Sequence, residues 1–353
     1  MAKPRSAGPR RRTGVAPEVA SDTAPPSPAA APQVAAPMRK PYTQIPVTRF
    51  AHRQMEDRLQ RVVDQVAETL RSPDEEAVHQ VRVATRRFRA ALDVFRAYFP
   101  RNERARIKQE IRELFALAGE VRNRDIASGL LAEGAPETAA YLQQERMQWS
   151  MRLTEHLRGW VLRDFSAQWR AALGSAPPDK KLKGRLPPGA LLPEAAVRWL
   201  PRLARRFFRT GREAFATGDA EHLHEFRIAA KRFRYGLEFF APLYGPRFTE
   251  SLRRLKKLQD SLGRLNDLVT ARALVPVPEI TTLLAAREAP VRVALTSCWT
   301  EDFSAGADSA LWVHYLRHYA GRTKAAQSSR PPKQPRIAIP DLIAPPKVAK
   351  RRA

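Results

Sequence analysis

One cysteine occurs in 353 residues, Cys298. A lone thiol excludes an intramolecular disulfide and any zinc site built on cysteines. In its apolar setting, VALTSCWT, it reads as a packed core thiol. Acidic residues are scarce as well, 36 against 62 Lys and Arg, which gives a formal net charge of +26. Residues 1–45 carry +5 of this and residues 322–353 carry +8, leaving +13 on the middle of the chain. A middle this basic calls for a negatively charged partner: nucleic acid, an inorganic phosphate polymer or an anionic surface. No apolar run reaches the length of a membrane span, and no secretory apolar core is present. Nine prolines before residue 46 argue against an amphipathic targeting helix, so the expectation is a soluble, cytoplasmic protein. A period-2 strand pattern is missing too, as are a phosphate-cradling glycine loop and a nucleophile beside a base. These absences point to an all-α chain that is not an enzyme and needs no cofactor.

What the chain does contain is a 22-residue segment written twice. HQVRVATRRFRAALDVFRAYFP spans 79–100 and HEFRIAAKRFRYGLEFFAPLYG spans 224–245, with eight identities at a constant offset of 145. Val78, Val81, Thr85, Phe88, Leu92 and Phe95 alternate steps of three and four, and Leu223, Phe226, Ala230, Phe233, Leu237 and Phe240 repeat the rhythm. That spacing is a helical seam facing a bundle core. One residue along runs a cationic stripe: His79, Arg82, Arg86 and Arg89 in the first copy, His224, Arg227, Lys231 and Arg234 in the second. Arg87 and Arg232 flank the stripes. Neighbouring cations on such a face stand roughly 5–6 Å apart. No acid lies inside either stripe to relieve the repulsion, and the following helices add Lys108, Arg112, Arg253, Arg254, Lys256 and Lys257. Two matched copies are more than a solvated basic face; they read as a polyanion site, where ligand phosphates relieve the repulsion.

Composition and periodicity divide the chain into a disordered Pro/Ala-rich basic tail (1–45), a helical region (46–321) and a second disordered basic tail (322–353). The helical region splits into halves 46–175 and 193–321 around a linker, 176–192. Helices are expected near 47–71, 74–98, 102–118 and 135–173, the last with a short turn within it, and again near 193–217, 220–243, 247–263 and 277–321, broken around Ala305-Gly306. The expected fold is therefore two four-helix bundle halves from an internal duplication, related by a pseudo-twofold axis. A second matched motif, AGEVRNRDI (118–126) against LGRLNDLVT (262–270), follows at an offset of 144. Gly119 and Gly263 with the Asn and Asp after them read as helix breaks with side-chain caps. The competing reading makes Asp125 or Asp267 a metal or catalytic carboxylate; Asp267 is also suited to anchor and orient a neighbouring arginine.

The paired signature H-x-x-R-[VI]-x-x-[RK]-R-x-R, with a glycine and an Asn/Asp-containing turn one helix later, resembles the CHAD family, the conserved histidine α-helical domain. The resemblance covers about residues 46–321. It implies a duplicated helical fold that binds inorganic polyphosphate through a basic central surface or channel, and association with polyphosphate granules. By motif position the ligand-facing residues would be His79, Arg82, Arg86, Arg87 and Arg89, with His224, Arg227, Lys231, Arg232 and Arg234 as counterparts. Arg112 and Lys256, at matching places on the third helices, would extend the patch. Two departures stand out: the first-half turn reads Arg122-Asn123-Arg124-Asp125 where the family more often has Arg-Asp, and the triphosphate-tunnel domain fused to some members is absent.

A linear phosphate polymer satisfies both the charge pattern and the resemblance. His79 and His224 would act as donors that gain charge below about pH 6.5 and tighten binding in acid. Nonspecific nucleic-acid binding is the alternative, through charge alone and aided by the basic tails. Single-strand binding calls for aromatics interleaved with cations, yet Phe88, Phe95, Phe233 and Phe240 lie on the core seam. A metal-dependent phosphohydrolase is the third reading, disfavoured because a metal cation among these side chains would be repelled. His222 and His224 point to different faces; His314 and His318 are spaced as ligands but read as a packed helix face. No metal site is expected.

Overall fold

The computed structural model describes residues 41–174, 186–187, 189–245, 247–303 and 308–322. Most of the two expected tails, residues 176–185 of the expected linker and the break expected at Ala305-Gly306 lie outside the described residues. Ten α-helices carry the described chain: α1 Val47–Arg71, α2 Glu75–Val94, α3 Arg101–Leu131, α4 Pro136–Leu162, α5 Phe165–Gly174, α6 Leu192–Thr217, α7 Ala220–Phe240, α8 Arg247–Leu274, α9 Pro278–Phe303 and α10 Asp308–His318. The fold is all-α, as expected. Among the described residues the sole β-type pairing is an isolated antiparallel bridge between Pro46 and Leu191, and no helix is long and apolar enough to cross a membrane.

Local chemistry sets the helix ends. Asp74 caps α2 by accepting from the Ala77 amide at 2.8 Å, and Asp219 caps α7 in the same way from His222, also at 2.8 Å. α6 stops at Gly218, whose φ of 70° is the left-handed conformation that lets a glycine end a helix. All twelve seam residues of α2 and α7 are buried. At roughly 1.5–3 kcal/mol for each large apolar side chain removed from water, this seam is a principal source of stability. Trp169 of α5 stacks on Phe88, with centroids 5.3 Å apart, and Trp312 of α10 meets Phe233 edge-on at 5.4 Å. The short final helix of each half thus covers the same seam position.

One buried apolar cluster draws on both halves of the chain. Its centre is aromatic: Phe95 lies 5.1 Å from Phe239 and 6.1 Å from Trp199, and Phe50 lies 6.4 Å from Phe240. The starts of α1 and α6 are tied together, Val47 donating to the Ala190 carbonyl at 2.9 Å and Leu192 to Ile45 at 3.0 Å. Cys298 is a core thiol, 2 % exposed, and burial with the nearby Asp302 raises its pKa to about 11.

Several boundaries differ from expectation. Tyr42–Gln44, placed by composition in the disordered tail, form a 3-10 turn, and Tyr42 and Ile45 pack on the core. The helix expected over 74–98 ends at Val94 and gives way to a 3-10 turn at Arg96–Tyr98. The short turn expected within 135–173 is present and falls at Asp164, whose φ of 46° cannot be continued as a helix. The largest difference lies in α3 and α8, which run on through Gly119 and Gly263 to Leu131 and Leu274. The polar residues after Gly119 do not cap a helix end. Arg124 holds Glu145 of α4 at 2.9 Å, and Arg146 of α4 holds Asp125 at 2.6 Å, so they lock α3 to α4. Asp125 is thereby engaged in structure. Where these extensions meet α4 and α9, a second apolar cluster forms around Leu131, Leu142, Leu268 and Leu284.

Candidate functional site

The two halves meet through like elements, α2 against α7 and α3 against α8, while α2 packs on α3 and α7 on α8. The stripe residues closest to this junction form the site. Arg82 reaches from α2 across α3: its Nη1 donates a long 3.5 Å hydrogen bond to the Phe115 carbonyl. The same nitrogen lies 3.1 Å from where a Cβ on Gly119 would stand. Gly119 is therefore present to admit a guanidinium, which is why a helix carries glycine here without ending. Arg122, one turn along α3, approaches the site and forms an ion pair with Glu75 at the start of α2.

Electrostatics defines which side chains belong together. Burial, and then the charges of Arg86 and Arg122, push Arg82 down to about 10, with Arg227 adding to the effect and Asp267 opposing it. Lys231 is pushed further, to about 7, by burial and by Arg227, Arg86 and Arg82. Burial also lowers Arg227, against the pull of Asp267. The Asp267 carboxyl is itself raised by burial, in spite of Arg122, Arg227, Lys231 and a hydrogen bond from Asn266. Five cations from three helices thus gather here, Arg82 and Arg86 of α2, Arg122 of α3 and Arg227 and Lys231 of α7, and the charge of one carboxylate, Asp267 of α8, is felt by four of them, Arg82, Arg122, Arg227 and Lys231. The Nε of Arg86 is buried without a hydrogen-bond partner among the described residues. A half-buried cluster with five cations and one acid leaves donors for an anion to satisfy.

His79 borders the cluster. Burial, followed by Arg122, holds its imidazole below the usual histidine range. This corrects the expectation that it charges near pH 6.5: the same cations that would attract the anion oppose a further positive charge. The other candidates stand elsewhere. Arg87 faces the opposite way, where its charge acts on Arg58 of α1. Arg234 donates to Glu238 at 2.8 Å, and Lys256 to Asp260 at 2.6 Å. Arg112 is exposed and bonded to Gln109 at 2.7 Å, and Arg89, Arg232 and His224 are exposed. Of the twelve candidates, the structure brings Arg82, Arg86, Arg227 and Lys231 together, with His79 at their edge.

Arg122 was not among the ligand-facing candidates, and Asp267 was singled out only as an acid suited to anchor a neighbouring arginine or as a competing metal or catalytic carboxylate; its charge does act on Arg82 and Arg227. The available signal was apolar spacing continuing past the glycines, through Val121, Ala127 and Leu131 and through Leu265, Leu268 and Ala271, all buried. His314 and His318 are both exposed, with ring centroids 4.1 Å apart, so they are not the packed face their surroundings suggested. Among the described residues no three His, Cys, Asp or Glu side chains gather where they could hold a metal ion.

The comparisons agree with this architecture. No curated protein matches the chain. The crystal structure of the CHAD domain from the plant Ricinus communis superposes with a TM-score of 0.55 at 22% identity, over 80% of this chain and 97% of that one. PptA from Streptomyces chartreusis superposes with a TM-score of 0.50 at 15% identity, over 74% of this chain and 99% of that one. Both show likeness of fold. The CHAD domain family matches residues 53–276, well over half of the chain and a span that contains every residue of the cation cluster, so the chain belongs to the CHAD domain family.

Proposed function

We propose that the chain binds inorganic polyphosphate in the cluster formed by Arg82, Arg86, Arg122, Arg227 and Lys231, without turning it over. The observation that carries this reading is the convergence of half-buried cations from both halves around a single carboxylate. Folding leaves them under-neutralised, and a polymer of phosphoryl groups supplies closely spaced acceptors in one molecule. Arginine predominates, and its planar fork keeps its charge and pairs phosphate oxygens two at a time. Five neutralised cations correspond to a slope of roughly −4 in log K against log salt.

Nucleic acid is the less favoured partner. Phe88, Phe95, Phe233 and Phe240 are fully buried and unavailable to stack on bases. In competition at physiological salt on the full chain, labelled long-chain polyphosphate should be displaced by unlabelled polyphosphate and only weakly, per phosphate, by duplex or single-stranded DNA. Equal competition by DNA would reduce the cluster to a generic cationic surface, and release of orthophosphate would replace binding by hydrolysis. In the cell, this reading places the protein on polyphosphate granules, from which Arg82→Ala with Arg227→Ala should disperse a fluorescent fusion.

A further inference from the structure

A second basic face lies outside the cation cluster, on α6. Arg198, Arg202, Arg205, Arg209 and Arg212 recur at steps of four and three, which sets them in one stripe along the helix, with Arg206 beside it. All six are exposed. Arg209 pairs with Glu213 at 3.0 Å, and the other five form no ion pair among the described residues. Glu194, the other acid of α6, is engaged at the helix start, where it accepts from the Leu191 amide at 3.0 Å. The fold does not call for such a face. α1, which precedes α2 as α6 precedes α7, mixes Glu56, Asp57, Asp64 and Glu68 among its arginines, and Arg53 and Arg71 each pair within the helix.

Two further observations place this face. Phe207, on the opposite side of α6, packs on Phe226 and Phe233 of α7 at 5.3 and 5.2 Å, so the apolar seam stands between the stripe and the cation cluster. A Cβ on Gly321 would stand 3.1 Å from Thr43 Cγ2 and 3.2 Å from Pro193 Cγ. Both basic tails therefore join the fold beside the first turn of α6.

We propose that the α6 stripe is a docking surface for the sugar-phosphate backbone of duplex DNA, separate from the cation cluster and independent of the polyphosphate reading. Arg202 to Arg212 span about 15 Å of helix axis. Four arginines thus face the rise of roughly four to five phosphates along one DNA strand. A duplex holds its phosphates in a fixed row, so it meets an open row of guanidinium groups without the ordering cost that a flexible polyphosphate pays on an exposed surface. A single strand calls for exposed aromatics between the cations, and a lipid surface for large apolar side chains to insert. Val197, 37% exposed, is the one exposed large apolar residue of α6. Contacts of this kind go to the backbone and carry no sequence preference.

The test uses the full chain, with short duplex DNA and long-chain polyphosphate as probes. The variant Arg202→Gln, Arg205→Gln, Arg212→Gln should melt no lower than wild type, because like charges are removed. It should bind the duplex at least about tenfold more weakly and flatten the slope of log K against log salt by roughly 2.7, while keeping its polyphosphate affinity. Arg82→Ala with Arg227→Ala should do the reverse. If the triple variant does not fold, Arg205→Gln alone should flatten the slope by roughly 0.9. Unchanged duplex binding by the folded glutamine variant assigns the DNA to the tails and overturns the proposal. So does an equal loss of both ligands, or wild-type affinity for single-stranded DNA or anionic vesicles that equals its affinity for the duplex. A wild type that binds the duplex but no polyphosphate overturns the polyphosphate reading and leaves this one standing.

Discussion

Burial first, and then the charges of Arg227, Arg86 and Arg82, push the pKa of the Lys231 ammonium from 10.5 down to about 7, against the pull of Asp267. The sign of the consequence is fixed. A bound polyanion favours the charged ammonium and raises this pKa, so below about pH 7 the lysine is charged with or without ligand and affinity is flat. Above pH 7 the free protein must take up a proton in order to bind, and affinity falls by up to about tenfold per pH unit until the pKa of the complex is reached. Binding measured from pH 6 to 9 should show this decline, and Lys231→Arg, whose charge does not titrate in that range, should remove it. A decline that persists in Lys231→Arg would assign the proton elsewhere. Protonation of His79 lies at lower pH than for a free histidine, because burial and Arg122, Arg86 and Arg82 oppose it.

At the scale of the element, α3 and α8 show what was legible in the sequence and what was not. The seams of α2 and α7 were readable because their side chains face one apolar environment along their whole length, so a period of three and four survives in residue types alone. The start of α2 was readable because Asp74 does its capping locally. α3 was misread because a glycine followed by Asn and Asp is the local signature of a helix end, and the reason for Gly119 is tertiary: it makes room for Arg82 from another helix. The same misreading kept Arg122 out of the candidate site and left Asp267 as an acid suited only to orient a neighbouring arginine. The matched glycines supply a controlled comparison. A Cβ at Gly263 meets nothing within 4 Å, whereas one at Gly119 meets Arg82 Nη1 at 3.1 Å. Gly263→Ala should stabilise the protein by about 0.5–1 kcal/mol, the gain in helix propensity, and leave polyphosphate affinity unchanged. Gly119→Ala should gain comparable stability, since only the tip of a flexible side chain has to move, but lose affinity several-fold because that tip is a binding group. Thermal melts and binding isotherms of the two variants check both statements; equal affinities would remove Gly119 from the site.

At the scale of the whole molecule, the repeat suggests two bundles, yet the packed core is continuous. Phe50 and Phe95 of the first half interlock with Trp199, Phe239 and Phe240 of the second. We propose that the halves arose by duplication and now fold as one unit. Calorimetry should therefore show a single transition. A fragment ending at Gly174 should be molten, with helical far-ultraviolet dichroism but no cooperative melt; an independently folding first half would contradict this. The junction that forms the core also assembles the cation cluster, so the site exists only when both halves are folded together.

The affinity of long-chain polyphosphate for wild type, Arg82→Ala, Arg227→Ala and the double variant, at one fixed salt concentration, tests this most directly. Each charge-assisted hydrogen bond contributes about 1.5–3 kcal/mol, so removing either arginine should lower affinity by roughly tenfold or more at unchanged stoichiometry, although they come from different halves. Full affinity in either single variant would contradict a shared site and return the two stripes to being separate basic surfaces.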